Sequence, residues 1–376
     1  MFKPNYETAR KDAGFEWNIG TAVYTYIELA GMDLHEYNTN PSAGVEVFKD
    51  KYSDQVSEMF GDYVVKCGTM TPPVSYGHIN FLDVPLIFPE GEGEVNYEHQ
   101  HKSLDEWINI FKNNMEFRDM TKEGQFFIEY RKKLQEAYPD RNVYWTMGYE
   151  GPLTTAYELR NMDFFYDMHD NPQKTNEFLK HLTLNMIEYA KFCHKVNGAP
   201  EFNTVGHGMA DDIASMIPPE RFEELVVPYW NMFYSSMTSG KRHIHTEDHK
   251  YKTIKYFEKV NINTYDPGIS HKLNPQLIRD NSRVPFYWRM GSFHFKDLTP
   301  DEVRDWVYKA VEDGTNKVFT YLSKMMIDKD HIEKVKAFHE AAVNAKEMFD
   351  AGATRDEIGK LVTAKGRKKF WDNWPE

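Results

Sequence analysis

The stretch VPFYWRMGSFHFKDLTPDEVRDWVYKAVEDGTNKVFTYLS, residues 284–323, contains a strand, a helix and a second strand in succession. Its two ends, VPFYWRMG (284–291) and KVFTYLS (317–323), are rich in the β-branched and aromatic residues that favour strands. The segment between them (299–314) begins at Thr299, a typical helix N-cap, has acidic residues in its first turn and ends at a glycine. Two strands joined by a helix run parallel, so the stretch predicts a β-α-β unit.

The same alternation continues over most of the chain. Further strand-like segments occupy residues 62–68, 143–151, 201–208, 242–248 and 262–268, and further helical patterns occupy 171–196, 218–238 and 328–352. One continuous series of this kind favours an α/β protein with a single (β/α)8 TIM-barrel domain over residues 1–376. Within it we expect an N-terminal helical extension (1–60), an inserted cap (69–140) and a C-terminal tail (353–376). No G-x-G-x-x-G motif follows a predicted strand, and no G-x-x-x-x-G-K-[ST] motif occurs. Their absence argues against a nucleotide-binding fold.

Composition excludes several classes of function. The chain has 376 residues, a net charge of −13 and no long basic block, which argues against nucleic-acid binding. The N-terminus has no apolar signal segment and no apolar run is long enough to span a membrane, so we expect a cytoplasmic protein. Cys67 and Cys193 lie far apart in sequence, which predicts neither a disulfide framework nor a thiolate zinc site.

Polar side chains follow the predicted strands, where a parallel barrel carries its active site. We expect them to face one mouth of the barrel, and they are Glu150, His207, Asp211, Asp212, His245, Glu247, Asp248, Tyr265, Asp266, Arg289 and His294. Asp211 and Asp212 are adjacent carboxylates, which suit metal ligands, a general base or helix N-caps alike. Arg289 suits either a substrate carboxylate or an internal salt bridge.

The stretch RHIHTEDHK (242–250) is the strongest metal candidate. His245 and Glu247 are two residues apart on a predicted strand, so their side chains point to the same side. An imidazole and a carboxylate suit Zn²⁺, with Fe and Mn left open, and Asp248 is a further candidate ligand. The alternative is a hydrophilic loop in which His245 is bonded to an acid. His249 is predicted to be solvated.

The order of motifs resembles the uroporphyrinogen decarboxylase superfamily, which includes corrinoid-dependent methyltransferases. The resemblance extends over roughly residues 60–345 through FGDYVV, GPLTTAYELRN, DNPQKTNEFLKHL, DDIASMIPPERFEELVVPYW, HIHTED, INTYDPG, MGSFHFKDLTPDEVRDWV and DGTNKVFTYLS. It implies a TIM barrel with its active site at the carboxyl ends of the strands, in agreement with the strand pattern.

Two branches of that superfamily are distinguished by their motifs. The decarboxylases carry an N-terminal R-Q-A-G-R motif, which this chain lacks, so a porphyrinogen with eight carboxylates is not an expected substrate. Methyltransferases that serve thiol acceptors bind zinc through H-x-C and a later cysteine. Here the first motif is His245-Thr246-Glu247, and no cysteine lies near 322–326. The chain therefore looks more like members that demethylate methoxylated aromatics or other O- or N-methyl compounds.

The resemblance and the residue pattern together give one predicted mechanism. His245, Glu247 and Asp248 would hold Zn²⁺, and Glu150, Asp211, Asp212 and Arg289 would be catalytic. Tyr265, Tyr287, His207 and His294 would bind substrate. The methyl group would pass to a Co(I) corrinoid on a separate carrier protein, because the chain lacks the D-x-H-x-x-G motif of base-off corrinoid carriers. A homodimer is left open.

Three alternatives compete with that mechanism. The first is a metal-independent decarboxylase or lyase that acts on a small acid, with Asp211 or Asp212 as acid and base. The second is a metal-dependent hydrolase, although its H-x-H motif is expected on the first strand and the one here lies past mid-chain. The third is a non-enzymatic subunit of a corrinoid complex.

Overall fold

A computed structural model describes residues 2–66, 69–117, 122–146 and 148–371. The strands of this part of the chain are β1 Glu16–Thr21, β2 Leu86–Ile87, β3 Asn96–Tyr97, β4 Gly206–Ala210, β5 Lys241–His245, β6 Thr264–Asp266, β7 Tyr287–Arg289 and β8 Lys317–Leu322. Its α-helices are α1 Ala9–Asp12, α2 Val23–Leu29, α3 Leu34–Thr39, α4 Pro41–Val47, α5 Asp50–Phe60, α6 Gly77–Asn80, α7 Leu104–Asn113, α8 Lys122–Ala137, α9 Pro152–Arg160, α10 Asp163–Asp170, α11 Pro172–Val196, α12 Phe222–Leu225, α13 Val227–Met237, α14 Pro275–Asn281, α15 His294–Asp297, α16 Pro300–Glu312, α17 Lys329–Asp350, α18 Arg355–Gly359 and α19 Ala364–Lys369. Short 3-10 helices occupy Asp212–Met216, Ile254–Val260 and Lys324–Met326.

The chain divides into two compact units. The first comprises Met1–Phe2, Leu29–Lys49 and Thr69–Arg242, and the second comprises Lys3–Glu28, Asp50–Gly68 and His243–Glu376. No α-helix among the described residues combines the length and the apolar character that a membrane span requires.

The second unit contains the predicted β-α-β unit. Strand β7 pairs in parallel with β8, with Tyr287 opposite Lys317, and α16 connects them. Thr299 caps α16 through a reciprocal capping box with Glu302, as its position in the sequence predicts. Strand β5 pairs in parallel with β6, with His245 opposite Asp266. These parallel pairings confirm the α/β class, because parallel neighbours require crossover helices.

Strand β1 was not predicted. It lies inside the segment 1–60, which the pattern assigns to a helical extension, and it pairs with β8 along its whole length from Glu16 to Thr21. Its sequence, EWNIGT, contains glutamate, asparagine and glycine, which are depleted in strands. Parallel pairing with β8 and packing against α17 therefore decide its conformation, and neither is visible in a local pattern.

The first unit is built around the long helix α11. Helices α7 and α13 pack against it, and the fully buried side chains of Trp107 and Trp230 belong to this unit's core. The region 69–140 contains an antiparallel pair, β2 and β3, with Leu86 opposite Tyr97, followed by α7 and α8.

Two element boundaries differ from the sequence prediction. The strand predicted at 201–208 is β4, at Gly206–Ala210. Gly206 approaches the next segment so closely that a Cβ would lie 2.7 Å from the carbonyl oxygen of Lys241, which explains a glycine there. The single helix predicted at 218–238 is two helices, α12 and α13, because Pro228 lies in the first turn of α13 and cannot continue a preceding helix.

Barrel closure stays a prediction. Among the described residues the hydrogen-bonded strands form two parallel sheets and one antiparallel pair, so the fold is established as α/β with parallel strands. Of the predicted tail (353–376), α18 and α19 are described, and residues 372–376 lie outside the described part. Cys67 also lies outside it, and Cys193 is a buried free thiol.

Candidate functional site

The first unit contains a cavity of about 680 Å³. Segments from several parts of this unit line it: the chain before and within α6, the strand β3 side of the hairpin, the loop before α9, α9 itself and the residues after β4. Among the described residues, its lining includes Glu94, Glu150, Glu158 and Asp212 and no lysine or arginine. The cavity wall is therefore acidic.

Glu158 is the most deeply buried of these carboxyl groups. It lies in α9, and its residue is 7% exposed. Burial, and then the nearby carboxyl groups of Glu150 and Asp211, raise the pKa of Glu158 well above its ordinary value. The surroundings of Glu158 on the cavity wall therefore favour its protonated, neutral form.

Two tyrosine rings contribute to the apolar part of the wall. Tyr76 and Tyr149 line the cavity, and the ring of Tyr97 contacts that of Tyr76 edge to face at a centroid distance of 4.8 Å. Tyr76 has φ of 53°, a left-handed conformation that is rare for a bulky residue and persists only where its surroundings hold it. The buried hydroxyl of Tyr149 has no hydrogen-bond partner among the described residues.

Asp211 caps helix α9 from a distant position in the sequence. Its Oδ1 accepts hydrogen bonds from the amide and the hydroxyl of Thr154 (2.8 and 3.0 Å), and its Oδ2 accepts from Trp230 Nε1 (2.7 Å) and the amide of Leu153 (3.3 Å). Burial raises the pKa of Asp211 to about 6 against the effect of these donors. The sequence left Asp211 open as a metal ligand, a general base or a helix N-cap. Its hydrogen bonds are those of an N-cap.

His245 and Glu247 lie together in the second unit. The Nδ1 atom of His245 lies 3.2 Å from Asp266 Oδ2, and its Nε2 atom lies 3.8 Å from Glu247 Oε1. The parallel register of β5 and β6 places Asp266 directly opposite His245. The hydrogen bond from His245 lowers the pKa of Asp266 although burial opposes it. The sequence left open that His245 is bonded to an acid. That acid is Asp266, which contacts one of the two nitrogens of the His245 ring.

The third predicted metal ligand, Asp248, does not converge with this pair. It has φ of 53°, and its Oδ1 accepts a hydrogen bond from the amide of His271. Within the described residues, three ligand atoms approach one another closely enough for a metal only at Asp328, Asp330 and His331. There Asp328 caps α17, which gives that cluster a structural role.

The prediction that His249 is solvated is wrong. The residue is fully buried, its Nδ1 lies 2.9 Å from the hydroxyl of Thr253, and its ring packs edge to face against Phe257 at 5.2 Å. Burial lowers the pKa of His249 to about 3, so the ring is neutral. The charged residues that flank His249 in RHIHTEDHK led to the wrong prediction, because His249 itself belongs to the core.

A layer of polar side chains lies below His245 on the same strands. His243 Nδ1 lies 2.7 Å from the hydroxyl of Thr264, the ring of His243 lies 5.7 Å from that of Tyr287, and Lys317 Nζ lies 5.2 Å from the Tyr287 centroid. Burial lowers the pKa of His243. His243 and Tyr287 are thus brought together.

The other predicted substrate-binding residues are placed differently. Tyr265 is fully buried and donates its hydroxyl to the carbonyl of Thr246, because alternation along β6 points it away from Asp266. His207 is the second residue of β4, and it is not among the described residues that line the cavity. Substrate binding by Tyr265 and His207 stays a prediction.

Arg289 and His294 lie close together at the end of β7. The Arg289 guanidinium lies over the ring of Tyr321 at 5.3 Å, and no ion pair of Arg289 occurs within the described part of the chain. His294 Nδ1 accepts a hydrogen bond from the amide of Gly291, and burial lowers the pKa of His294 to about 4. The internal salt bridge considered for Arg289 is absent among these residues.

Sequence reasoning missed one residue that this geometry singles out, Glu158. Glu158 follows Thr154 by four residues, so both project from the same face of α9 into the cavity. That spacing was a usable signal. Asp266 was expected at the mouth of the barrel, but its position opposite His245 depends on the register of two parallel strands, which a single segment does not reveal.

Comparisons with known proteins agree with this architecture. The sequence model of the family described as uroporphyrinogen decarboxylase (URO-D) matches residues 78–344. Among solved structures, a methyltransferase from Methanosarcina mazei superposes with a TM-score of 0.61 at 15% sequence identity, over 90% of this chain and 97% of that one. At this identity the likeness concerns the fold alone. No curated protein sequence matches the chain. Because the family match extends over well more than half of its length, this protein belongs to the uroporphyrinogen decarboxylase (URO-D) family.

Proposed function

We propose that the protein transfers a methyl group from a small methylated donor to the Co(I) corrinoid of a separate carrier protein. The donor is a methoxylated aromatic or another O- or N-methyl compound, and a metal ion held by His245 and Glu247 assists the reaction. Membership of the URO-D family and the fold shared with a methyltransferase support an enzyme of this kind.

The contact between His245 and Asp266 carries the proposal. A histidine that binds a metal through one ring nitrogen commonly donates the other N–H to a carboxylate, which fixes its tautomer and orientation. Asp266 lies 3.2 Å from Nδ1, which leaves Nε2 as the nitrogen on the side of Glu247, 3.8 Å from Oε1. One imidazole nitrogen and one carboxylate oxygen are suitable ligands for Zn²⁺. The donor set therefore fits the metal.

The chain's own residues orient these ligands. Asp266 holds the His245 ring, and the amide of Ile269 donates to Glu247 Oε1 at 3.3 Å. When bound, Zn²⁺ supplies Lewis-acid polarisation of the donor's heteroatom, which makes it a better leaving group. Arg289 would hold an anionic group of the donor or carrier, since it has no internal ion pair among the described residues.

The metal-independent lyase is the competing proposal, and the arrangement of Asp211 argues against one form of it. Both carboxylate oxygens of Asp211 accept hydrogen bonds that cap α9 or bind Trp230, so proton transfer by Asp211 would break structural contacts. Asp212 alone would then have to serve as acid and base.

A donor screen with a reconstituted corrinoid protein tests the proposal. Conversion of Co(I) to methyl-Co(III) is followed in the visible spectrum, and the purified protein is analysed for zinc, iron and manganese. We expect one metal ion per chain and loss of methyl transfer in His245→Ala and Glu247→Ala. His169→Ala, at a histidine whose side chain is 91% exposed, should retain activity.

Two outcomes would overturn the proposal. The first is a protein without stoichiometric metal whose activity resists chelators, which would favour the lyase. The second is methyl transfer that is unchanged in both substituted proteins, which would leave His245 and Glu247 as structural residues.

A further inference from the structure

Two histidines of the first unit lie side by side near the amino end of β4. His194 belongs to the last turn of α11, and His207 is the second residue of β4. Their ring centroids are 5.3 Å apart, with an angle of 31° between the ring planes. Neither residue is among the described residues that line the cavity, so the pair is a separate feature of this unit.

The hydrogen bonds of the two rings fix which nitrogen carries the proton. His194 Nδ1 lies 2.8 Å from the carbonyl oxygen of Pro200, and His207 Nδ1 lies 2.7 Å from that of Gly208. A carbonyl oxygen only accepts hydrogen bonds, so each Nδ1 is protonated and donates, and in the neutral ring Nε2 carries the lone pair. Metal-binding histidines commonly donate one N–H to a backbone carbonyl in this way and bind the ion through the other nitrogen.

The protonation state of His207 also suits a ligand. Burial lowers the pKa of His207 to about 4, against the effect of its hydrogen bond to Gly208, and the nearby His194 lowers it further. A metal ion competes with protons for the ring nitrogen. Because the His207 ring is neutral at pH 7, it binds an ion without first losing a proton.

The separation of the two rings suits one shared ion. A zinc–nitrogen bond of about 2.0–2.1 Å places the metal about 3.2 Å from the centroid of an imidazole ring. At a tetrahedral angle, two such rings have centroids about 5 Å apart, which agrees with the observed 5.3 Å. Direct stacking brings rings closer, as for Tyr63 and His339 in the second unit, whose centroids are 3.8 Å apart. The spacing of the histidine pair is therefore that of two ligands of one ion.

Both rings are held in position by the protein itself. Each donates to a backbone carbonyl, and the His207 ring also packs edge to face against Phe233 at a centroid distance of 5.3 Å. Ligands that are already ordered lose little conformational entropy on binding. The 25-residue helix α11 ends at Val196, and the partial negative charge at its carboxyl end favours a cation beside His194.

We propose that His194 and His207 form a site for a divalent metal ion, bound through the two Nε2 atoms, with water in the remaining coordination positions. Two imidazole ligands suit Zn²⁺, Ni²⁺ and Cu²⁺, of which Cu²⁺ is bound most tightly by a given site. The ion connects the end of α11 to the start of β4 and so stabilises the first unit. The inference does not rest on the proposed function, and it gives His207 a role other than substrate binding.

Titration with Cu²⁺ tests the inference. The His245→Ala protein is the reference, so that the metal site proposed in the second unit does not contribute. Electron spin-echo envelope modulation counts the imidazole ligands of a bound Cu²⁺ ion, because the remote protonated nitrogen of each ring modulates the signal. We expect one tightly bound Cu²⁺ ion per chain with two imidazole ligands, and a thermal midpoint that rises when Cu²⁺ or Zn²⁺ is added.

Two further substitutions connect the ion to the histidine pair. In His194→Ala and in His207→Ala, the loss of one of two ligands should weaken Cu²⁺ binding at least about 100-fold and leave one imidazole in the spectrum. His194→Ala changes a half-buried residue at the end of a helix, so it should fold even if His207→Ala does not. His169→Ala, at an exposed histidine in the last turn of α10, is the matched control and should change neither result.

Three results would overturn the site. They are the absence of saturable Cu²⁺ binding, a bound Cu²⁺ ion with fewer than two imidazole ligands, and an affinity for Cu²⁺ that does not change in His194→Ala. Because the measurements are made on the His245→Ala protein, their outcome does not depend on methyl transfer. The proposed function can therefore fail while this metal site stands, and the reverse also holds.

Discussion

Substitution of Asp211 by asparagine separates a structural from a catalytic role for this residue. Asparagine replaces one carboxylate oxygen with an NH2 group, which then faces two buried donors. These are either the amide and hydroxyl of Thr154 or the amide of Leu153 and Trp230 Nε1. Each buried donor left without an acceptor costs about 1–3 kcal/mol, so we expect Asp211→Asn to lower the free energy of unfolding by about 2–6 kcal/mol.

Urea denaturation followed by circular dichroism at pH 7.5 measures this loss, at a pH where a carboxyl group with a pKa of about 6 is ionised. The adjacent Asp212→Asn is the matched control. It changes a half-buried residue of the cavity wall, and we expect its stability to stay within about 1 kcal/mol of the parent protein. A loss below about 1 kcal/mol for Asp211→Asn, combined with lost activity, would refute the capping role and restore Asp211 as a catalytic candidate.

Three further predictions concern protons and the metal. Asp266→Asn should weaken binding of Zn²⁺ about 10- to 100-fold in a chelator competition, and an unchanged affinity would contradict its orienting role. The pKa of Glu158 is raised in the folded state. The contribution of Glu158 to stability therefore declines as the pH rises above the ordinary pKa of a glutamate, by up to about 1.4 kcal/mol per pH unit. Unfolding at pH 5 and pH 8 should therefore show a flatter pH profile for Glu158→Gln than for the parent. The folded-state pKa values of His78 and His249 are lowered to about 4 and about 3, so stability is lost as pH falls below 6.5, by about 2 kcal/mol for each ring at pH 5. Imidazole NMR signals of His78 and His249 that titrate near pH 6.5 would contradict the lowered pKa values and the predicted loss of stability.

The regular part of the fold was accessible from sequence because its signals are local. Thr299 and Glu302 form the predicted capping box, and the apolar periodicity of 171–196 corresponds to α11. Strand β1 was missed because its polar residues become a strand only by pairing with β8. The same limit applies to β4, which begins at Gly206 where close backbone approach permits only glycine.

The candidate site was predictable where residues adjacent in sequence act together. His245 and Glu247 lie within reach of each other because a strand places alternate side chains on one side. Asp248 breaks that expectation because its left-handed backbone turns it toward the amide of His271. Asp266 depends on the register of β5 with β6, which local reasoning does not contain. Burial misled the interpretation of His249, since its polar neighbours in sequence are not its neighbours in space.

The remote cap on α9 restricts how this region can change in evolution. Gly151 is the N-cap residue of α9 and offers no side chain, so the helix depends on Asp211 instead. A serine or aspartate at 151 would cap the helix locally, but its Cβ would overlap the side chain of Asp211. Asp211 therefore leaves no room for a side chain at position 151, and Gly151 leaves α9 without a cap if Asp211 is replaced. A local cap requires both positions to change together. Related sequences should show these two positions varying together, and α9, which carries Glu158, should keep its position only when they do.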